Sequence, residues 1–190
     1  MALRDVGLWK ARHHDCPVAV NLSPRNLLDP LLPDRVAQLL REYDVPPSAL
    51  RFEITESVLM AEPERAMITL NELRALGVRF ALDDFGSGYS SLSYLHRLPL
   101  EEVKIDASFI RELGSADASG ATIVGATVEL GHRLGFAVVA EGVETQYEWD
   151  RLIALGCDIV QGFHIARPMP VLEVLRWLDV LRGTPTAIAS

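Results

Sequence analysis

The sequence predicts an α/β domain built on a parallel sheet, and three observations carry that prediction. Six short β-rich runs alternate with helical patterns along the 190-residue chain. Glycine directly follows several of the helical patterns, where a helix stops and the next strand begins. A polar or charged residue falls at or just past the C-terminal end of every predicted strand. Such alternation gives parallel strands with functional groups on the loops at the strand C-termini. A barrel mouth would collect polar residues at all six ends, whereas a doubly wound open sheet, the alternative, would gather them at one switch point.

In chain order, the first strand is read at Val18–Leu22 and presents Asn21 near its end. A helical pattern follows over Pro33–Tyr43. Leu50–Thr55 alternates as a strand should, carries Glu53, and is followed at once by Glu56. Pro63 suits the first turn of a helix running to Leu76, and Gly77 stops it. The third strand, Arg79–Asp83, ends on the pair Asp83-Asp84, and a short helix is expected over Ser91–His96. Glu102–Ile105 is the fourth strand, with Lys104 and Asp106 at its end. The helix Gly120–Leu134 closes on Gly135, and the fifth strand, Ala137–Ala140, delivers Glu141. Gln146–Leu155 closes on Gly156, the sixth strand Ile159–Gly162 carries Gln161, and Pro170–Leu181 is the last helix. One domain, 1–190, is expected, with 183–190 as a flexible tail.

The run from Phe80 to Leu92, Phe-Ala-Leu-Asp-Asp-Phe-Gly-Ser-Gly-Tyr-Ser-Ser-Leu, says most about chemistry. Side chains alternate across a strand, so two neighbouring aspartates are expected to aim at one centre where the strand terminates. Adjacent carboxylates repel unless a cation lies between them, and sites with two metals ~3.5–4 Å apart commonly share a bridging carboxylate. Oxygen donors suit hard ions such as Mg²⁺ and Mn²⁺, whereas zinc favours His and Cys. The alternative reading is a solvated helix cap.

Composition narrows the partners. Lys and Arg number 18 against 26 Asp and Glu, a formal charge of -8 with pI near 5.1, and no local basic groove is visible. A nucleic-acid polymer is therefore not expected to bind. An anionic ligand would need bound metal to mask the carboxylates. Cys16 and Cys157 form no paired motif and read as reduced core residues, and no apolar stretch approaches the ~20 residues of a membrane span. A soluble cytoplasmic domain is the expectation.

Six co-linear segments resemble the EAL domains, bacterial phosphodiesterases of cyclic di-GMP: Val20-Asn21-Leu22-Ser23-Pro24-Arg25, Phe52-Glu53-Ile54-Thr55-Glu56-Ser57, the run from Asp83 to Leu92, Val103-Lys104-Ile105-Asp106, Ala140-Glu141-Gly142-Val143-Glu144-Thr145 and Gln161-Gly162-Phe163. They cover about Val18 to Pro170. The resemblance implies a TIM-barrel-like fold, two Mg²⁺ or Mn²⁺ ions, and hydrolysis of cyclic di-GMP to linear pGpG. By position, Asn21 and Glu53 resemble ligands of one metal, Asp83 the bridging ligand, and Asp84 and Glu141 ligands of the other. Lys104 resembles the lysine that contacts the attacking water, Gln161 an active-site glutamine, and Glu56 the anchor of the Asp-Asp loop. Arg25, Asp106, Ser87 and Gly88 match positions expected to meet the ligand.

The family's name-giving Glu-Ala-Leu segment is expected tens of residues before Asn21, and the nearby Met1-Ala2-Leu3-Arg4 lacks its glutamate. The expectation is an EAL domain short of its N-terminal part, with about six of eight βα units. Two functions follow: a phosphodiesterase, once preceded by regulatory or diguanylate-cyclase (GGDEF) modules, or a non-catalytic module that binds cyclic di-GMP or another chain. Homodimerisation is expected through open barrel edges and, by resemblance, near Tyr89–Arg97.

Other signals are weaker. Asp84-Phe85-Gly86 spells the kinase magnesium triplet without the other kinase motifs, and Gly86-Ser87-Gly88 lacks the third glycine of a dinucleotide fingerprint. His13-His14-Asp15 reads as a solvated helix end. Trp9, Trp149 and Trp177 are expected to pack against the sheet.

Overall fold

The structure, a computed structural model, describes residues 2–56, 59, 62–86, 95–114 and 119–183. Six strands pair in chain order, every pair parallel: Val18–Asn21 (β1), Leu50–Thr55 (β2), Arg79–Phe85 (β3), Glu102–Ile105 (β4), Ala137–Glu141 (β5) and Ile159–Gln161 (β6). A sheet whose spatial order is its chain order has no point of reversal, which removes the doubly wound alternative. Among the described residues β1 and β6 form its two edges.

Eight α-helices are described: Ala2–Lys10 (α1), Pro24–Leu27 (α2), Leu32–Glu42 (α3), Pro63–Ala75 (α4), Ala107–Glu112 (α5), Ser119–Leu134 (α6), Gln146–Ala154 (α7) and Val171–Gly183 (α8). Most expected helices lie within a residue or two of their observed bounds. The sequence reading gave no bounds for α1, α2 or α5; the last two are too short to show a 3.6-residue period. Their start signals are visible in retrospect: the Ser23 hydroxyl accepts from Asn26 N at 3.3 Å, and the Asp106 carboxylate accepts from Ser108 N at 2.9 Å. Most of the helix expected at Ser91–His96 lies outside the described residues. None of the described helices is long and apolar enough to cross a membrane.

Strand alternation sorts the sheet into two chemistries. Phe52, Ile54, Phe80, Leu82, Val103, Ile105 and Val138 are buried in one cluster with helix residues such as Leu70, Leu73, Val124 and Leu152. Ile54 and Phe80 are 0% exposed, and truncating either to Ala would cost roughly 2–5 kcal/mol. The alternate positions, Arg51, Glu53, Arg79, Asp83, Glu102, Lys104 and Glu141, occupy the other face. The core thus secures the strands from one side and leaves a charged face on the other.

The sequence reading needs correction near the chain ends. His14 is not part of a solvated helix end: it is buried, and its Nε2 lies 2.7 Å from Asp179 Oδ1 on α8. His13, with φ 63°, and Asp15 are exposed. Cys16 and Cys157 are free but only half-buried. Trp9 and Trp149 pack against the core as expected.

Candidate metal centre

β3 explains how two adjacent aspartates reach one place. It does not stop at Asp83 but runs to Phe85, and the register shifts: Leu82 pairs with Val103, while Phe85 pairs with Ile105. Three steps on β3 thus match two on β4, which is a β-bulge. The extra residue is absorbed at Asp84, whose φ of 55° is in the left-handed region that Asp tolerates better than most residues. The sequence reading expected a strand terminus; a bulge inside the strand does the work.

The neighbours converge on this bulge. Asp83, Asp84 and Glu141 each offer a carboxylate oxygen, and the three oxygens lie within 4.8 Å of one another. Lys104, 4% exposed, points its ammonium among the acids: Nζ is 2.6 Å from Glu53 Oε1, 2.6 Å from Glu141 Oε1 and 3.1 Å from Asp83 Oδ1. Glu53 comes from β2, Asp83 from β3, Lys104 from β4 and Glu141 from β5, all near strand C-termini.

Electrostatics follow the geometry. Burial disfavours the charged form of Lys104, but hydrogen bonds to Glu141 and Glu53 outweigh it, so its pKa lies above the ordinary lysine value. Burial pushes the Glu141 carboxyl up against the pull of Lys104. Partial desolvation, then the charges of Asp83 and Asp106, push Asp84 up as well. One cation thus serves several acids and leaves a demand for positive charge, which is the property of a cation site.

The remaining candidates divide. Asn21 is register partner to Glu53 at the end of β1, and Gln161 is register partner to Glu141 on β6, so both belong to the same rim. Glu56 directly follows β2 and is half-buried, and Arg25 is exposed on α2. Asp106 caps α5 and faces Asp84; the bonds from Ser108 hold its carboxyl below the usual range. Ser87, Gly88 and most of Tyr89–Arg97 lie outside the described residues.

Sequence reasoning missed the supports of the rim after β5. Gly142 has φ 71° and a Cβ there would stand 2.5 Å from Ala107 Cβ, while a Cβ on Gly162 would run into the Val143 backbone. Thr145 and Glu148 form a capping box that starts α7. The Thr-x-x-Glu spacing could have revealed that cap; nothing in the sequence announces the two close approaches.

The donor set is carboxylate and amide oxygen with no His or Cys, which fits Mg²⁺ or Mn²⁺. The family model described as EAL domain matches residues 1–168, reaching back through α1, beyond the segment that the motifs cover. The chain is similar to the bifunctional diguanylate cyclase/cyclic di-GMP phosphodiesterase MucR of Pseudomonas aeruginosa, 45% identical over 92% of this chain and 25% of that protein. It thus spans about a quarter of the length of the curated relatives it matches first. Among solved structures, the PaMucR phosphodiesterase in complex with c-di-GMP superposes with TM-score 0.86 at 44% identity, covering 91% of this chain and 70% of that one. The manganese/cy-diGMP complex of Klebsiella pneumoniae BlrP1 superposes with TM-score 0.80 at 33% identity, covering 88% of this chain and 42% of that one.

Proposed function

The chain belongs to the EAL domain family, and from that premise we propose that it is a phosphodiesterase that uses divalent metal, Mg²⁺ or Mn²⁺, to open cyclic di-GMP to linear pGpG. The observation that carries the reading is the convergence of Asp83, Asp84 and Glu141 within 4.8 Å, beside a lysine that already touches two of them. MucR is named a cyclic di-GMP phosphodiesterase and BlrP1 was solved with manganese and cy-diGMP, which supports both the substrate and the class of metal.

Asn21 and Glu53 would hold one ion, Asp84 and Glu141 the other, and Asp83 both. Bound there, the ions would supply charge neutralisation at the phosphodiester and a water that loses its proton readily. Lys104, whose ammonium lies among these acids, would orient the attacking oxygen and share charge that builds on the phosphoryl group. Gln161 and Asp106 lie at strand ends where a dinucleotide would bind, Arg25, Ser87 and Gly88 would contribute further contacts to it, and Glu56 would anchor the segment that follows the Asp-Asp pair. The name of MucR also supports a diguanylate-cyclase module in the protein to which this domain contributes. The cell interior, where such a messenger is made, is the proposed compartment.

The test is incubation of the chain with cyclic di-GMP and Mn²⁺, followed by chromatography for pGpG. Linear product that requires Mn²⁺ and disappears with chelator is the expected result. Binding without turnover would replace the enzyme with a cyclic di-GMP-binding module.

A further inference from the structure

One ion pair on the charged face of the sheet belongs to no proposed ligand set. Arg51 Nη2 lies 2.6 Å from Glu102 Oε1, with both side chains largely buried, Glu102 the more so. Arg51 stands two residues before Glu53 on β2, and Glu102 two residues before Lys104 on β4, so each shares a face with the group above it. The two strands are not neighbours. They are separated by β3, hence by roughly 9–10 Å, twice the spacing of adjacent strands. The bridge crosses β3 at Ala81, which is in register with both Glu53 and Glu102 and has no side chain long enough to obstruct it.

The Lys104–Glu53 bridge crosses β3 along the same diagonal, one pleat higher, over Asp83. The sign is reversed: β2 gives the cation and β4 the acid in the lower bridge, and the acid and the cation in the upper one. Two parallel braces therefore link the same pair of strands.

The lower brace is a poor stabiliser. Arg51 Nε is buried without a hydrogen-bond partner, and burial pushes the Glu102 carboxyl up despite the nearby guanidinium. Buried ion pairs of this kind can often be replaced by apolar residues with no loss of stability, or with a gain. Its geometry matters to what lies above it.

We propose that Arg51 and Glu102 are positioning residues, whose bridge across Ala81 holds β2 and β4 at the separation and tilt that place Glu53 and Lys104 in the metal centre. The inference rests on the phosphodiesterase reading for its consequence, although the bridge itself is read without metal. Groups that hold a metal's ligands in place commonly change affinity or activity 10–100-fold when removed.

The chain offers a direct probe, because its only lysines are Lys10 and Lys104, and Lys10 is far more exposed. A ¹⁵N-edited spectrum of lysine ammonium groups should show Lys104 as a resonance protected from water exchange. In the double variant Arg51→Met, Glu102→Leu, the melting temperature should match or exceed wild type, the Lys104 resonance should vanish or shift, and the Mn²⁺ dissociation constant should rise roughly 10–100-fold. Glu102→Gln, which keeps size and a hydrogen-bond acceptor, should move both readouts in the same direction by less. A folded variant with wild-type Lys104 resonance and Mn²⁺ affinity overturns the proposal. Should wild type bind no Mn²⁺, the phosphodiesterase reading fails, and the ammonium resonance alone decides whether the bridge positions Lys104.

Discussion

Asp83 and Asp84 are adjacent in sequence but differ in situation. Asp83 touches Lys104 at 3.1 Å, whereas Asp84 has a carboxyl pushed up by partial desolvation and by Asp83 and Asp106. Without metal, Asp84→Asn should raise the melting temperature slightly, since it removes repulsion, and Asp83→Asn should lower it, since Lys104 loses a partner. Shifts of the same sign in paired thermal melts would refute the distinction. Glu102 supplies a pH dependence. Burial raises its pKa above the ordinary 4.5, outweighing Arg51, so the folded state binds the proton more tightly than the unfolded chain. The derivative of stability with pH is then negative: the contribution of Glu102 is fully present below about 4.5 and is lost as pH rises through its raised value. Melts of wild type and of Arg51→Met, Glu102→Leu between pH 4 and 7 should therefore diverge in favour of the variant as pH rises, roughly the span in which a buried carboxyl titrates. At this scale the acids were legible because Asp and Glu fell at successive strand ends. The Arg51–Glu102 brace was not, because its partners lie across a third strand whose relevant property is only that Ala81 is small.

β3 shows what an element adds to its residues. The Asp-Asp pair suggested a strand terminus, yet the strand continues to Phe85 and bulges, so both carboxylates reach the rim while Phe85 returns to the core. A bulge inserts one residue without an apolar-pattern break large enough to read, which is why it was not foreseen. The end of β5 is secured in two further ways. Thr145 accepts from Glu148 N at 3.2 Å, and Glu148 accepts in return from Glu144 N and Thr145 N. Thr145→Ala should cost about 1 kcal/mol in urea unfolding, the usual value for an N-cap. Gly162→Ala should cost more, about 1–3 kcal/mol as overpacking does, because the added methyl meets the immovable backbone of Val143. A smaller cost at Gly162 than at Thr145 would mean that the β5–β6 loops yield where the packing says they cannot.

Among the described residues the molecule is built on an open, parallel, six-stranded sheet whose charged rim gathers residues that are 88 positions apart in sequence, from Glu53 to Glu141. The topology was legible because spatial order repeats chain order and each unit carries its own helix stop. The tie between the chain's two ends, His14 with Asp179, was not, since nothing local in sequence links them. At the β6 edge Ile159, Phe163 and Ile165 are exposed beside backbone that no described strand pairs. Open apolar edges recruit partners. The 190-residue chain should therefore self-associate in light scattering at tens of micromolar, roughly the range in which such edges aggregate, and a monodisperse monomer would show that the edges are covered within one chain. Calorimetric titration of Mn²⁺ into wild type and Asp83→Asn measures directly whether the rim is a metal centre. Saturable binding to wild type, weakened roughly tenfold or more in the variant, is the predicted result; equal affinity in the two proteins, or no binding to wild type, would contradict it.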